Sequence, residues 1–185
     1  MKENSIYFAE NMFYQIIRDV GGTWNDSKQR PVVCLLKLEE HSEIYWAIPM
    51  GDWEHRDELA KKRIEGYLNL PENKLQSCFY HIGNTTTKSI FFLSDVVPIT
   101  DKYINREYLG YNSKGYEIKN KKLIAELQRK LKRILYCEEK KHNYFRQHIT
   151  DVKNYLIAEL EYTKSQEQVA AAEISFTEID ISAQS

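Results

Sequence analysis

Short apolar segments separated by polar turns fill the first half of the chain, and no other feature constrains its fold as strongly. They occupy residues 6–8, 32–38, 44–48, 79–82 and 89–99. The connections between them include a Glu-Glu-His-Ser-Glu turn and a Gly-Asn-Thr-Thr-Thr-Lys turn, which are typical of β-hairpins. Several short strands with hairpin links predict a small, strongly curled antiparallel sheet or barrel.

Helical periodicity dominates the second half of the chain. Residues 121–141 carry apolar side chains at helical spacing with a largely basic face opposite, and residues 144–162 repeat the apolar spacing. We expect these two segments to form an antiparallel helix pair against the sheet, which gives a fold of the α+β class. Shorter helical patterns cover residues 10–20 and 53–70.

The length of 185 residues allows one sizeable core but is short for two independent ones. We therefore expect a single domain over residues 1–164. Residues 165–185 carry four acids and no base, and we expect them to form an acidic tail. This tail also contains apolar residues over 174–181, so a loose helix, a linker and a docked segment all remain open.

Charge is balanced over the whole chain but unevenly distributed. The 26 Lys and Arg nearly cancel the 27 Asp and Glu, giving a net charge of −1. Residues 102–146, however, contain thirteen bases and five acids, a local excess of +8. Such a basic surface favours contact with the phosphates of nucleic acid. The overall balance argues against both a uniformly basic coat and an acidic disordered chain.

Cysteine spacing and hydropathy limit which cellular compartment and which cofactors the sequence favours. The three cysteines are widely spaced and include no Cys-x-x-Cys pair, which argues against a disulfide framework and a structural zinc site. No run approaches the apolar length of a membrane span, and the N-terminus lacks the apolar core of a signal peptide. We expect a cytoplasmic protein without metal or other cofactor and without a membrane partner.

Several short motifs resemble one known family. They are Ile-Tyr-Phe at residues 6–8 with Phe13-Tyr14, Arg-Pro-Val-Val-Cys-Leu-Leu at 30–36, Tyr-Trp-Ala-Ile-Pro at 45–49, Phe-Leu-Ser-Asp-Val-Val-Pro-Ile at 92–99 and Phe-Thr-Glu-Ile-Asp at 176–180. In this order they resemble the toxins of type III toxin–antitoxin systems, the family that includes ToxN, AbiQ, CptN and TenpN. The resemblance spans most of the chain, although each motif is short and mostly hydrophobic.

The resemblance implies both a fold and an activity. The fold would be related to the small barrel of the MazF and Kid toxins. The activity would be metal-independent, sequence-specific cleavage of cellular mRNA that leaves a 2′,3′-cyclic phosphate. It also implies that the toxin cuts its own antitoxin RNA precursor, is inhibited by the folded RNA pseudoknot, and forms a hetero-oligomeric protein–RNA assembly with it.

One departure from the family concerns the catalytic group. ToxN-type members follow the proline of the second hairpin strand with Thr-Ser-x-Lys, whereas here Pro49 is followed by Met-Gly-Asp-Trp-Glu-His-Arg. His55 and Arg56 lie just after this strand end, where a reactive group would be exposed, and an ordinary histidine pKa near 6.5 suits a general acid or base. They are our first candidates for a catalytic pair; both could equally be solvated residues at the start of a helix.

A second candidate group surrounds the turn at residues 83–88. His81 ends one strand before this turn, and Thr86 and Lys88 could hold a phosphate there, although a polar hairpin tip would look the same. We predict that His55, Arg56, His81 and Lys88 converge on one pocket. Tyr14 lies close to the position of the family's N-terminal catalytic tyrosine, for which Phe13 competes.

The basic helices supply the candidate RNA-binding residues, because cations that pair with phosphates and aromatic rings that stack on bases commonly hold RNA together. These residues are Arg129, Lys130, Lys132, Arg133, Lys141, Tyr144, Arg146 and His148, beside Thr86 of the turn. A solvated helix face remains the alternative interpretation. For the whole protein we expect an RNA-inhibited endoribonuclease; a non-catalytic RNA-binding module and a phage-defence interaction protein are the alternatives.

Overall fold

The described part of the chain forms seven antiparallel strands and four α-helices. The structure, a computed structural model, describes residues 1–25 and 30–182, with side chains described as far as residue 170. The strands are β1 (Ser5–Ala9), β2 (Val32–Lys37), β3 (Ile44–Asp52), β4 (Tyr80–Asn84), β5 (Lys88–Phe92), β6 (Val97–Thr100) and β7 (Ile104–Glu107). The helices are α1 (Asn11–Asp19), α2 (Glu58–Leu68), α3 (Lys121–Lys140) and α4 (Ile149–Ser182).

Strand β3 organises the sheet because it is long enough to pair with three neighbours. It pairs with β2 along one side, with β6 through Ile44–Ala47 and with β5 through Met50–Asp52 on the other. The strand order is β4-β5-β3-β2-β1-β7, with β6 paired to β3 off this path. All these pairings are antiparallel. The first half of β3 therefore pairs with β6, and the second half pairs with the β4–β5 hairpin.

The α+β class and the two C-terminal helices are confirmed. The predicted closed barrel is not, since β4 and β7 end the strand path without pairing to each other within the described residues. The sheet is neither closed nor strongly curled. The expected single strand over 89–99 is interrupted by a 3-10 turn at Leu93–Asp95, which lets β5 and β6 pair with different halves of β3.

The C-terminal helices pack through the apolar stripes that the sequence indicates. Helix α3 begins at the Asn120 cap, whose side-chain oxygen accepts hydrogen bonds from the backbone N–H groups of Lys122 and Leu123. Its buried leucines pack beside β2 and the 3-10 turn at Leu75–Cys78, whereas α4 packs against β6. Helix α4 begins at Ile149 and continues through the backbone of the expected acidic tail as far as Ser182.

Helix α2 starts later than its periodicity suggested. Residues 53–56 form a turn in which the Arg56 N–H donates to the Trp53 carbonyl oxygen at 3.1 Å. Asp57 then caps the helix, its carboxylate accepting from the Ala60 N–H at 2.7 Å. The turn therefore stands apart from the helix, and it brings Arg56 back over the end of β3.

Candidate functional site

The ring of Phe92, at the end of β5, lies beneath two guanidinium groups. The guanidinium carbon of Arg30 lies 4.6 Å from the ring centroid and that of Arg56 lies 5.0 Å from it. Phe92 itself is buried, so the two cations cover an apolar surface that would otherwise face water. Contacts of this kind favour arginine, whose planar group stacks on aromatic faces.

Gly51 permits the close approach of Arg56. A Cβ atom at residue 51 would lie 2.9 Å from Nη2 of Arg56 and 3.8 Å from the Phe92 ring. Because 2.9 Å is shorter than ordinary van der Waals contact, any larger residue would displace the guanidinium group. The glycine in β3 and the turn after it therefore act together to position Arg56.

A third arginine joins these two from the loop between α3 and α4. Arg146 Nη2 donates to Asp95 Oδ2 at 3.0 Å. The loop is held in place by the buried side-chain amide of Gln147, which donates to the carbonyl oxygens of Ser94 at 3.0 Å and Val96 at 2.8 Å. We call Arg30, Arg56, Arg146 and Asp95 the arginine cluster.

Positive charge exceeds negative charge in the arginine cluster. Burial lowers the pKa of Arg30, as does the nearness of Arg56 and Arg146, while Asp95 opposes this change. Within the described residues, the ion pair of Arg146 with Asp95 is the one that neutralises a member of the cluster. Three guanidinium groups facing one carboxylate leave a net charge of +2, which suits a bound phosphate.

Tyr80 borders the arginine cluster and was not among the sequence candidates. Its ring meets Phe92 edge to face, with centroids 6.0 Å apart. Burial raises its pKa, and Asp95 adds to this effect, so the phenol keeps its proton at neutral pH. A neutral hydroxyl beside a cationic pocket can donate a hydrogen bond or a proton to a phosphate oxygen.

Three of the predicted catalytic residues lie near the turn at residues 53–56. Arg56 belongs to the arginine cluster. The side chain of His55 is 87% exposed, with Nδ1 4.0 Å from Asp52 Oδ2. Lys88 Nζ lies 3.9 Å from Glu54 Oε1 and 5.8 Å from the Trp53 ring, so it reaches the same loop from β5.

His81 lies on the opposite face of the sheet, so the predicted convergence of four residues on one pocket is wrong. Side chains alternate along a strand, and in β4 it is Tyr80 that contacts Phe92. His81 instead faces α3, where burial and then Lys130 lower its pKa to about 4. The two histidines therefore cannot act as acid and base on one phosphate.

Lys130 also differs from its predicted role. It is only 8% exposed, and its ammonium group donates to the carbonyl oxygens of Ser77 at 3.1 Å and Tyr80 at 2.7 Å. Burial lowers its pKa. This burial does not favour the predicted contact of Lys130 with RNA, because the face of α3 that carries it is packed against β4 and the 3-10 turn before it.

The other predicted cations of α3 are partly engaged within the protein. Arg129 pairs with Glu126 at 2.9 Å, and Arg133 donates to the carbonyl oxygen of Glu72. Lys132 and Lys141 are exposed. Lys141 lies 5.2 Å from the ring centroid of Tyr144, so this helix end keeps an accessible cation beside an aromatic ring.

The remaining candidates are placed in the interior or at loop contacts. Tyr14 is buried, with its ring stacked on Trp24 at 5.4 Å, which does not favour a catalytic role. His148 lies with Nδ1 3.1 Å from the Val20 carbonyl oxygen, where it joins the start of α4 to the end of α1. The Thr86 hydroxyl lies 3.2 Å from the Tyr108 hydroxyl.

Sequence reasoning missed Arg30, Phe92, Asp95 and Tyr80 as site residues. Arg30 and Phe92 did stand inside motifs that carried the family resemblance. The signal available was an Arg-Pro pair directly before a buried strand, and a Phe-Leu-Ser-Asp motif whose Phe ends another strand. No periodicity links these two positions, because their contact depends on the pairing of β5 with β3.

Comparisons with known proteins add no assignment: no family model matches the chain, and the curated proteins include no match to it. Within the described residues there is no group of three or more His, Cys, Asp or Glu side chains arranged to hold a metal ion. None of the helices in that part of the chain combines the length and apolar character needed to cross a bilayer.

Proposed function

We propose that this protein is the endoribonuclease toxin of a type III toxin–antitoxin system, with a fold related to the small barrel of MazF and Kid. It would cleave cellular mRNA and its own antitoxin RNA precursor without metal, and the folded antitoxin RNA would inhibit it in a protein–RNA assembly. The observation that carries the proposal is the arginine cluster, in which Arg30 and Arg56 lie over Phe92 and the Arg146–Asp95 ion pair lies near Arg30. The sequence resemblance supplies the family.

The chemistry required is attack of a 2′-hydroxyl on the adjacent phosphate. The phosphate gains negative charge as the transition state forms, and preorganised cations stabilise that charge. Arg30 and Arg56 would bind its oxygens. His55, exposed beside Arg56, would accept the hydroxyl proton, and the neutral phenol of Tyr80 would protonate the leaving oxygen. No step in this scheme uses a metal ion.

The test is cleavage of cellular RNA by the purified protein in EDTA, with the products analysed for 2′,3′-cyclic phosphate ends. We expect wild-type protein to cleave and Arg56→Gln to lose about 10²-fold or more in rate. Lys140→Gln is the matched control, because Lys140 is an exposed cation at the C-terminal end of α3 and does not belong to the arginine cluster. Activity that vanishes in EDTA and returns with Mg²⁺ would exclude the metal-free mechanism.

A non-catalytic RNA-binding module is the second candidate, and two observations favour it. His81 faces α3, away from the turn that carries His55, and the chain lacks the Thr-Ser-x-Lys group of ToxN-type toxins. Such a module would bind RNA with strong salt dependence but leave it intact in EDTA and in Mg²⁺. Absence of any salt-dependent RNA affinity would instead point to a phage-defence interaction protein.

A further inference from the structure

The segment after β7 forms a loop that presents an aromatic side chain to solvent. We call residues 108–116 the tyrosine loop, since it contains Tyr108, Tyr111 and Tyr116. At its base, the Tyr108 N–H donates to the Ile6 carbonyl oxygen at 2.9 Å and the Tyr116 N–H to the Tyr108 carbonyl oxygen at 2.8 Å. These bonds attach both ends of the loop to β1 and to each other.

Tyr111 is the most exposed aromatic residue of the tyrosine loop, and yet it is held in place. Tyr111 is 88% exposed, while its hydroxyl donates to the Thr86 carbonyl oxygen at 2.9 Å. One end of the side chain is therefore anchored and the ring faces water. An exposed ring held in this way contributes little to the core, but it offers a flat surface at low entropic cost to a ligand.

More aromatic rings and cations continue this surface. Tyr108 lies 6.3 Å from Tyr116 and 6.0 Å from Phe8 between ring centroids. The Arg106 guanidinium carbon lies 4.2 Å from the Phe8 centroid. Residues 104–122 contain five Lys and Arg against two Glu, so the surroundings favour an anionic ligand that also has flat rings.

The tyrosine loop contacts the β4–β5 turn, and this turn approaches the second turn, at residues 53–56, which carries the predicted catalytic residues His55 and Arg56. The tyrosine loop contacts the β4–β5 turn through Thr86. Lys88, at the other end of this turn, approaches Glu54 at 3.9 Å, next in sequence to His55 and Arg56. A flexible strand that lies on the tyrosine loop can therefore continue toward the arginine cluster across one hairpin.

We propose that the tyrosine loop is a base-stacking platform for single-stranded RNA, with Tyr111 as the ring on which one unpaired base stacks. The phosphates beside that base would meet Arg106 and Lys114. This inference rests on the proposed function for its ligand, since it names the surface that holds RNA next to the reactive site. Base stacking tolerates any sequence but requires unpaired bases, so a duplex should bind this surface poorly.

The experiment measures affinity for a 2′-O-methyl oligonucleotide of about 12 nucleotides, which cannot be cleaved because it lacks the attacking hydroxyl. Tyr111→Ala should weaken binding of the single strand by roughly five- to a hundredfold and change duplex binding little. Tyr111→Phe keeps the ring but loses the bond to Thr86, and it should bind almost as the wild type does. Tyr162→Ala is the control, because Tyr162 is exposed on α4, far along the chain.

Each alternative outcome has a definite meaning. Unchanged single-strand affinity in Tyr111→Ala overturns the inference, as does equal weakening by Tyr111→Phe and Tyr111→Ala, which would assign Tyr111 a hydrogen bond within the protein. Cleavage of natural RNA by the wild type together with normal binding by Tyr111→Ala overturns the inference alone. Wild-type binding without cleavage overturns the endoribonuclease and leaves the platform in place. No binding by the wild type overturns both.

Discussion

The two faces of the β4–β5 hairpin use positive charge in different ways. On the α3 face, Lys130 is buried and its ammonium group donates to two carbonyl oxygens. On the other face, Arg30 and Arg56 cover Phe92, and Arg146 pairs with Asp95 near Arg30. A buried cation that donates to backbone carbonyl oxygens stabilises a fold, whereas a surplus of cations near one carboxylate indicates a site for an anion.

The difference follows from what each face excludes. Packing of α3 excludes water from around Lys130, so its charge is tolerated only because hydrogen bonds replace its hydration. The arginine cluster retains water, with the Arg146 side chain 52% exposed, so its repulsion is partly screened until a ligand arrives. We therefore expect substitutions on the first face to change the free energy of unfolding and substitutions on the second to change RNA affinity.

The largest effect is expected from Lys130→Ala. It leaves the Ser77 and Tyr80 carbonyl oxygens without their donor and removes a buried aliphatic chain, which together should lower the free energy of unfolding by roughly 2–4 kcal/mol. Denaturant unfolding measures this change. Lys132→Ala, at the exposed neighbouring position on α3, should change it by about 0.5 kcal/mol or less. Equal losses in the two variants would contradict a structural role for Lys130.

The next largest effect is a pH dependence of the free energy of unfolding, and it arises from His81. Its pKa falls from 6.5 to about 4 in the folded protein, so the unfolded chain binds more protons between these values. The contribution of His81 to the free energy of unfolding is fully present above pH 6.5 and is lost as the pH falls to about 4. We expect on the order of 1–2 kcal/mol, discounted because the ring keeps solvent contact.

The measurement compares the free energy of unfolding at neutral and acid pH for wild type and His81→Gln. The variant should lose less stability on acidification than the wild type. His142→Gln removes an exposed histidine next to α3 and serves as the matched control. A His81→Gln profile parallel to that of the wild type would show that burial of this ring does not couple to folding.

On the other face, Arg56→Gln should weaken RNA binding by about tenfold, equivalent to about 1.4 kcal/mol, and reduce the salt slope by about one unit. Gly51→Ala keeps every charge but places a Cβ 2.9 Å from Arg56 Nη2, so it should weaken binding by displacing the guanidinium group. Lys140→Gln is again the control. Loss of affinity in Arg56→Gln with none in Gly51→Ala would mean that charge matters there and position does not.

Local sequence patterns predicted the elements better than the contacts between them. The hairpin of β2 and β3 and the apolar stripe of α3 were predicted because their alternation and spacing depend on neighbouring residues alone. Strand β7 was missed, since its sequence Ile-Asn-Arg-Glu has one apolar residue and it pairs with β1 about a hundred positions away along the chain. Such pairing leaves no periodic trace.

The candidate site was predicted in part for the same reason. Arg56 was predicted near a strand end and Arg146 in a basic helix, but the sequence could not show that both lie near Arg30. The convergence of His81 with His55 was expected from strand ends alone, and strand ends do not show which face of the sheet a side chain occupies, because side chains alternate along a strand. Lys130 was placed on a solvated face, since the 3-10 turn that covers it was not foreseen from residues 75–78.

The smallest expected effect comes from Gly66→Ala in α2, which lies on the same face as the arginine cluster. This substitution tests whether the stability of α2 can change without a change in RNA affinity. Gly66 lies in α2 with open space around the position of a Cβ, so Gly66→Ala should raise the free energy of unfolding by about 0.5–1 kcal/mol, because alanine loses less backbone entropy in a helix. RNA affinity should stay within about twofold of wild type, since no charge changes. Thermal unfolding and oligonucleotide titration of one sample measure both quantities. A stabilised variant with weaker RNA binding would show that RNA binding requires motion of α2, and the two faces would then differ in flexibility as well as in charge.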